Sequence, residues 1–216
     1  MNQIVKDKMQ REIMVVNASV LFKNFPRETR FYNANEHNFW KIMVDNYEYM
    51  VRWDAEKNNN FKQPLPYGAI IDEENRIFVY QRGWSWSNAW ESRLHSKISI
   101  WVWWHIERED EDAKDILSNT LVREIIEEIN TKEENIKNVD LVWYINDDWD
   151  EVWKVHMWIF YIVRVSNSNF DLLDWELDNW EFVTLSKLEN MILSDDYDLE
   201  SWSEIVFESL KKYLNK

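Results

Sequence analysis

The sequence predicts an α/β (α+β) domain in which helices pack on a mixed β-sheet. Three observations predict it. Strand-like stretches recur at 13–22, 67–72, 76–82, 97–102, 139–146, 151–165 and 182–185. Segments with helical apolar spacing fall between and after them, at 36–52, 112–130, 188–193 and 199–214. The chain has 216 residues, 45% of them hydrophobic and 30% charged, so it can bury a core and is not disordered by composition. Strands mixed with a few helices resolve most simply into helices layered on a sheet.

Each element has its own signal. Residues 1–35 read as a short helix or coil followed by the strand at 13–22. Phe39, Ile42, Met43 and Tyr47 place one apolar face on a helix. The run EKNNNFKQPLP at 56–66 holds two prolines and reads as a connector. A division after it gives residues 1–64 as an N-terminal extension of strand plus helix, and 65–216 as the main domain. Asp72–Asn75 is a turn between two strands, and 83–97 is a polar loop. The helix over 112–130 carries the strongest signal, with Ile116, Leu117, Leu121, Ile125 and Ile129 on one face. NDDWDE at 146–151 is a hairpin turn. No internal repeat is present.

Charge and residue usage exclude several classes. The net charge is −15 and the pI about 4.7, which disfavours a nucleic-acid polymer as partner, since such binding rests on Lys and Arg. Cysteine is absent, which removes disulfides, thiolate zinc sites and thiol nucleophiles. The longest apolar runs, Ile98–Trp104 and Val155–Val163, are far short of the roughly 20 residues of a membrane helix. The N-terminus has no signal-peptide core. A cytoplasmic protein with no membrane partner is expected.

One pair of counts is abnormal: the chain has 2 Gly and 15 Trp. Average usage of about 7% Gly would give about 15 glycines in this length. Many tryptophans stand at loop-like places, as in GWSWSNAWES, NDDWDE and DNWEF, where Asp-Gly or Asn-Gly is the natural turn pair. Trp40 and Trp202 instead fit apolar helix faces, and Trp53 is ambiguous. The reading adopted is that UGA codons for glycine are printed as Trp at twelve positions: Trp84, Trp86, Trp90, Trp101, Trp103, Trp104, Trp143, Trp149, Trp153, Trp158, Trp175 and Trp180. An aromatic surface for stacking sugars or bases is the competing reading. The recoding also predicts poor folding or no activity for the literal chain, because Trp at 101, 103 and 104 overpacks sites of close backbone approach.

The segment Arg123-Glu124-Ile125-Ile126-Glu127-Glu128 carries the chemistry. Glu124, Glu127 and Glu128 sit at i, i+3 and i+4, so a helix puts all three carboxylates on one face. Like charges at that spacing repel unless a cation compensates them. Three hard oxygen ligands suit Mg²⁺ or Mn²⁺; an ordinary solvated acidic face is the alternative. His95, His105 and His156 are scattered and read as loop or core residues rather than as a zinc site. Arg82, Arg93 and Lys97 are candidate contacts for substrate phosphates, against a simple solvated loop. No P-loop and no nucleophile elbow is present.

With Gly restored, 98–105 reads I-S-I-G-V-G-G-H, a strand ending in a Gly pair ahead of the acidic helix. This resembles the Nudix hydrolase family, whose box is G-x5-E-x7-R-E-U-x-E-E-x-G-U with U apolar. R-E-U-x-E-E matches at 123–128. Asp115 stands where the box has its first Glu, Asn130 at the late Gly and Thr131 at the last apolar residue. The box's Gly positions fall on Trp103 and Trp104, and the loop after them is five residues longer than in the box. The order of elements over roughly 65–215 is also similar to that family's.

The resemblance implies an α/β/α sandwich with a mixed sheet between helices. It implies Mg²⁺- or Mn²⁺-dependent hydrolysis of a nucleoside diphosphate linked to another moiety, X, by water attack on phosphorus. Glu124, Glu127 and Glu128 would hold metal with a carbonyl of the 103–104 pair. Arg123 would orient the glutamates. Glu124, Glu127 or a distant glutamate, Glu181 or Glu200, would accept the water's proton. The expected partner is a small nucleoside diphosphate derivative, with a homodimer left open. Two alternatives stand beside it. An isoprenoid diphosphate isomerase shares the fold but uses a catalytic cysteine, which this chain lacks. A non-catalytic nucleotide-binding module has no need of three mutually repelling carboxylates.

Overall fold

Two long apolar strands build the centre of the molecule. A computed structural model of the chain describes residues 3–82, 97–111, 115–149, 153–166, 177–199 and 201–214. In it β4 (Phe61–Ile71) and β9 (His156–Val165) run parallel from Gln63↔His156 to Ile71↔Arg164. Nearly every residue of both strands is buried, as expected of parallel strands covered on both faces.

The other elements assemble around this pair. The N-terminal part supplies α1 (Gln3–Met9), β1 (Glu12–Asn17), α2 (Ala18–Leu21), β2 (Arg30–Asn33), α3 (Phe39–Asn46), β3 (Tyr47–Val51) and α4 (Arg52–Ala55). After β4 come β5 (Ile77–Arg82), β6 (Ile98–Ser99), β7 (Val102–Trp103) and α5 (Ile116–Glu128). The chain then runs through β8 (Ile136–Asn146), β9, β10 (Leu177–Val183), α6 (Leu185–Leu193) and α7 (Ser201–Leu214). The main strand order is β10-β5-β4-β9-β8-β2, with β7 and β1 added to β4, β6 to β5 and β3 to β1. Only the β4–β9 pairing is parallel among the described strands.

Two cores cover the two faces of the sheet, which makes the expected α/β/α sandwich. On one face Leu117, Leu121 and Ile125 of α5 pack with Ile70, Ile159, Tyr161 and Val163. Gly68 lets α5 settle there, since a Cβ at this position would lie 3.0 Å from Leu121 Cδ1. On the other face Leu188 of α6 and Val206, Phe207 and Leu210 of α7 pack with Leu65, Phe160 and Ile162. No helix among the described residues is long and apolar enough to cross a membrane.

Several boundaries differ from the sequence reading, each for a local reason. The first strand ends at Asn17, not Phe22, because the Asn17 side chain accepts from Ser19 N and caps α2. The proline-containing run is not a connector: Pro64 and Pro66 lie inside β4. They share one parity, so both direct the missing N–H away from β9, to a side where no strand pairs with residues 63–66. A division at 64/65 thus cuts a strand. Residues before it share a core with α5 through Met14, Val16, Leu21, Tyr32, Phe39 and Met43. The strand at 97–102 is broken into β6 and β7. The helix at 112–130 is shorter, with Asp115 as its N-cap. The last strand, β10, begins at Leu177 and ends at Val183, earlier at both ends than the 182–185 reading.

The tryptophans also sit differently from expectation. Trp84, Trp86, Trp90 and Trp175 lie outside the described residues. Positive φ falls on Asn75, Asn130 and Asn179 and on no described tryptophan. Asparagine supplies the left-handed turn residue, including Asn179 directly before Trp180. Trp101 is fully buried: its ring stacks on Tyr67 at 5.4 Å, meets Phe160 edge-on at 4.8 Å, and its Nε1 donates to Ser203 Oγ at 3.2 Å. Trp149, in the turn after β8, is 87% exposed.

Candidate active site

The acidic segment folds as helix because its two ends are capped and one face is apolar. Asp115 accepts from Ser118 N at 3.4 Å, and Asn130 leaves the helix at φ 48, the left-handed geometry that the box assigns to glycine. Burial of Ile116, Leu117, Leu121 and Ile125 seats one face of α5 on the sheet; Glu124 and Glu128 extend that face at the C-terminal end of the helix and are half-buried, whereas Glu127 lies on the exposed flank and Arg123 on the far side. Asp115 is thus a capping residue that also accepts from Trp40 Nε1 at 3.1 Å. It lies nine residues before Glu124, roughly 14 Å along the axis, and does not join the carboxylates.

Arg123 is the hub of this cluster. Its guanidinium lies 2.9 Å from Glu124 Oε1 and 3.3 Å from Glu127 Oε2, and Nε donates to Asp110 Oδ1 at 3.0 Å. Asp110 was not legible as a site residue. It is buried in a short 3₁₀ turn at Arg108–Asp110, where its Oδ2 accepts from Glu107 N at 3.0 Å. The signal in the sequence was only E-R-E-D, a Glu with an Asp three residues on, which forms a capping box. Burial, which Arg123 opposes and Glu127 reinforces, pushes the Glu124 carboxyl up to about 7. Glu127 is largely exposed. Glu128 Oε1 accepts from Trp104 Nε1 at 2.6 Å, so the second position of the expected Gly pair touches the third glutamate.

The remaining candidates are placed as follows. Arg82 ends β5 opposite Leu177. Lys97 pairs with Asp198 at 2.8 Å. Glu181, on β10, pairs with Lys187 through both carboxylate oxygens at 2.7 and 2.6 Å. Arg93, Glu200 and His95 lie outside the described residues. His105 and His156 are buried, as expected of core residues, yet they converge with Glu56, a residue with no local signal.

A cavity of about 480 Å³ opens at the N-terminal end of α5, between Trp40, Asp115, Ser118, Tyr144 and Tyr161. It is at the far end of the helix from the carboxylates.

This fold is that of the Nudix hydrolases. No protein-family model matches the chain. The candidate Nudix hydrolase Tm1382 superposes with a TM-score of 0.72 at 24% identity, covering 92% of this chain and 97% of that one. A Nudix hydrolase from Alicyclobacillus acidocaldarius (TM-score 0.53, 12% identity) covers 69% of this chain and 90% of its own length. The Nudix domain of Shewanella oneidensis NrtR, solved with ADP-ribose (0.52, 11%), covers 71% and 88%. In sequence the chain is 29% identical over 211 residues to the protein YmaB of Bacillus subtilis, spanning 94% of this chain and 99% of YmaB.

Proposed function

We propose that the chain is a Nudix-family pyrophosphohydrolase that cleaves the diphosphate of a nucleoside diphosphate linked to X, in the cytoplasm. The observation that carries this is the Arg123 hub, which gathers half-buried Glu124 and exposed Glu127 at the C-terminal end of a helix seated on a Nudix-fold sheet. The donor set fits a hard divalent cation. Glu124 is a carboxylate burdened by burial and by Glu127, and a cation beside it relieves both. Glu124, Glu127 and Glu128 would hold Mg²⁺ or Mn²⁺, with a carbonyl at 103–104. When bound, the metal offsets charge on the diphosphate oxygens.

The chain's own residues do the rest. Arg123, anchored by Asp110, fixes the rotamers of Glu124 and Glu127. A glutamate takes the proton of the attacking water, either Glu124 or Glu127 of the helix or a distant one. Glu181 is a weaker distant base because Lys187 holds both of its oxygens; Glu200 stays a candidate. Arg82, Arg93 and Lys97 remain proposed phosphate contacts. The bound ADP-ribose of the NrtR domain supports a nucleotide substrate.

Glycine at the twelve positions is part of the same reading. It is supported by the 2 Gly against 15 Trp, by the exposed Trp149, and by the Trp104 indole resting on a proposed metal ligand. The codons and the intact mass of the protein from its own cell test it; UGG at 103 and 104 with a mass matching the printed chain ends it. The activity is tested by nucleotide release from a panel of nucleoside diphosphate derivatives with Mg²⁺, using printed and glycine forms. Turnover that Glu127→Gln abolishes in a folded protein is expected. Equal behaviour of wild type and variant, or binding of ADP-ribose without turnover, overturns the enzyme reading.

A further inference from the structure

A second group of ligand-type side chains lies on the other side of the strand that approaches α5. The donor atoms of Glu56, His105 and His156 all lie within 4.8 Å of one another. Three separate elements deliver them: Glu56 caps the C-terminus of α4, His105 follows β7, and His156 opens β9. Glu56 Oε1 is 3.8 Å from His105 Nε2, and Oε2 is 3.9 Å from His156 Nε2. Both imidazoles are 6% exposed and the carboxylate 22%. Alternation along the strand keeps this group apart from the acidic helix. Trp104 reaches Glu128, whereas Trp103 and His105 share the opposite side, with rings 5.8 Å apart.

The geometry and the donor chemistry agree. Donors of a tetrahedral zinc site with bonds of about 2.0–2.1 Å lie roughly 3.3 Å apart. The two imidazole–carboxylate separations exceed that by about half an ångström and no pair of donors by more than about 1.5 Å, distances that side-chain rotation closes. Gln63 Oε1, 3.0 Å from His105 Nε2, offers a neutral oxygen on the same wall, and Gln63 is the register partner of His156. The alternative occupant is a proton, giving a histidinium–glutamate pair. A neutral imidazole is the form that ligates metal, and Co²⁺ absorption separates the two occupants. Arg52 Nε, 3.3 Å from Glu56 Oε1, is the cation that already shares the carboxylate.

We propose that Glu56, His105 and His156 form a binding site for a divalent transition metal of the zinc class, which ties α4 to the central sheet. Two nitrogen donors with one carboxylate favour Zn²⁺, Co²⁺ or Ni²⁺ over Mg²⁺. The site is therefore chemically distinct from the all-oxygen set on α5.

The test uses the full-length, tag-free chain, stripped with EDTA and titrated with Co²⁺ in excess Mg²⁺. One equivalent of Co²⁺ should give a visible absorption band that Zn²⁺ displaces and Mg²⁺ does not. Zn²⁺ should raise the Tm by several degrees. The band should vanish in His105→Ala/His156→Ala and in Glu56→Gln, and persist in the triple variant Glu124→Gln/Glu127→Gln/Glu128→Gln. If the double histidine variant fails to fold, Glu56→Gln decides, because that side chain is partly exposed and keeps its volume. No band at one equivalent, a band that survives in folded Glu56→Gln, or its loss in the folded triple variant overturns the proposal. Loss of nucleotide hydrolysis alone bears on the α5 site and not on this one.

Discussion

Two polar clusters flank one strand, and they were reached by opposite routes. On one side Glu124, Glu127 and Glu128 come from a single helical turn, so their company is written in the spacing of the chain. On the other side Glu56, His105 and His156 are separated by about half the chain and meet only because α4, β7 and β9 end at one place. The first cluster is a repelling set held by Arg123 and is partly open to solvent. The second is buried, nitrogen-rich and has little charge of its own. A local motif advertises chemistry that a helix alone can arrange. A nonlocal one appears only when the sheet is built.

The sharpest way to break this contrast is Glu127→Gln, assayed with Mg²⁺ in the glycine form. Turnover should fall by at least about 10²-fold, with the thermal midpoint nearly unchanged because Glu127 is largely exposed. An unaltered rate would leave the acidic cluster a solvated surface. Next is Asp110→Asn, which removes the buried anchor of Arg123. It should lower kcat about tenfold and cost about 1–3 kcal/mol of stability by chemical denaturation. A stability loss with no change in kcat would make Asp110 a fold residue only.

Trp104→Gly sharpens the same comparison from the other side. Removing the indole from Glu128 Oε1 should raise the affinity for Mg²⁺ severalfold, read from the metal dependence of hydrolysis. Weaker metal dependence would count against glycine at this position.

The smallest expected effect is on acid stability. Burial alone would raise the Asp148 carboxyl, but hydrogen bonds from Arg27 and Lys62 outweigh it and hold it down to about 2. Its folded proton affinity is below the unfolded one, so its stabilisation is complete above about pH 4 and is lost as pH falls toward 2. Asp148→Asn should flatten that acid limb of the Tm profile, by about 1 kcal/mol after allowing for partial exposure. A profile unchanged by the substitution would remove Asp148 from the acid response.

Much of the architecture was legible residue by residue. The apolar stripe of α5, the Asp72–Asn75 turn, and the order of three strands and two helices after α5 all follow from periodicity and turn chemistry. Pro64 and Pro66 misled because proline excludes a strand only where its N–H is needed, and which side of β4 lacks a partner is a property of the whole sheet. Asp110 was missed because a four-residue capping box looks like one more acidic run in a chain with 40 Asp and Glu. The tryptophans were legible as a compositional anomaly, but not the backbone around them: beside Trp180 the left-handed position falls on Asn179.

By itself the sequence determined the fold class, the apolar faces and the glutamate array on α5, because these depend on spacings of two to four residues. Only the tertiary structure decided that the first sixty residues share a core with α5, and that β4 runs through its prolines. It alone decided that Asp110 anchors Arg123, and that Glu56 stands beside two buried histidines. Such contacts join residues from 13 to about a hundred positions apart. No local periodicity encodes them; they are fixed when parallel pairing of β4 and β9 brings distant chain ends to one edge of the sheet.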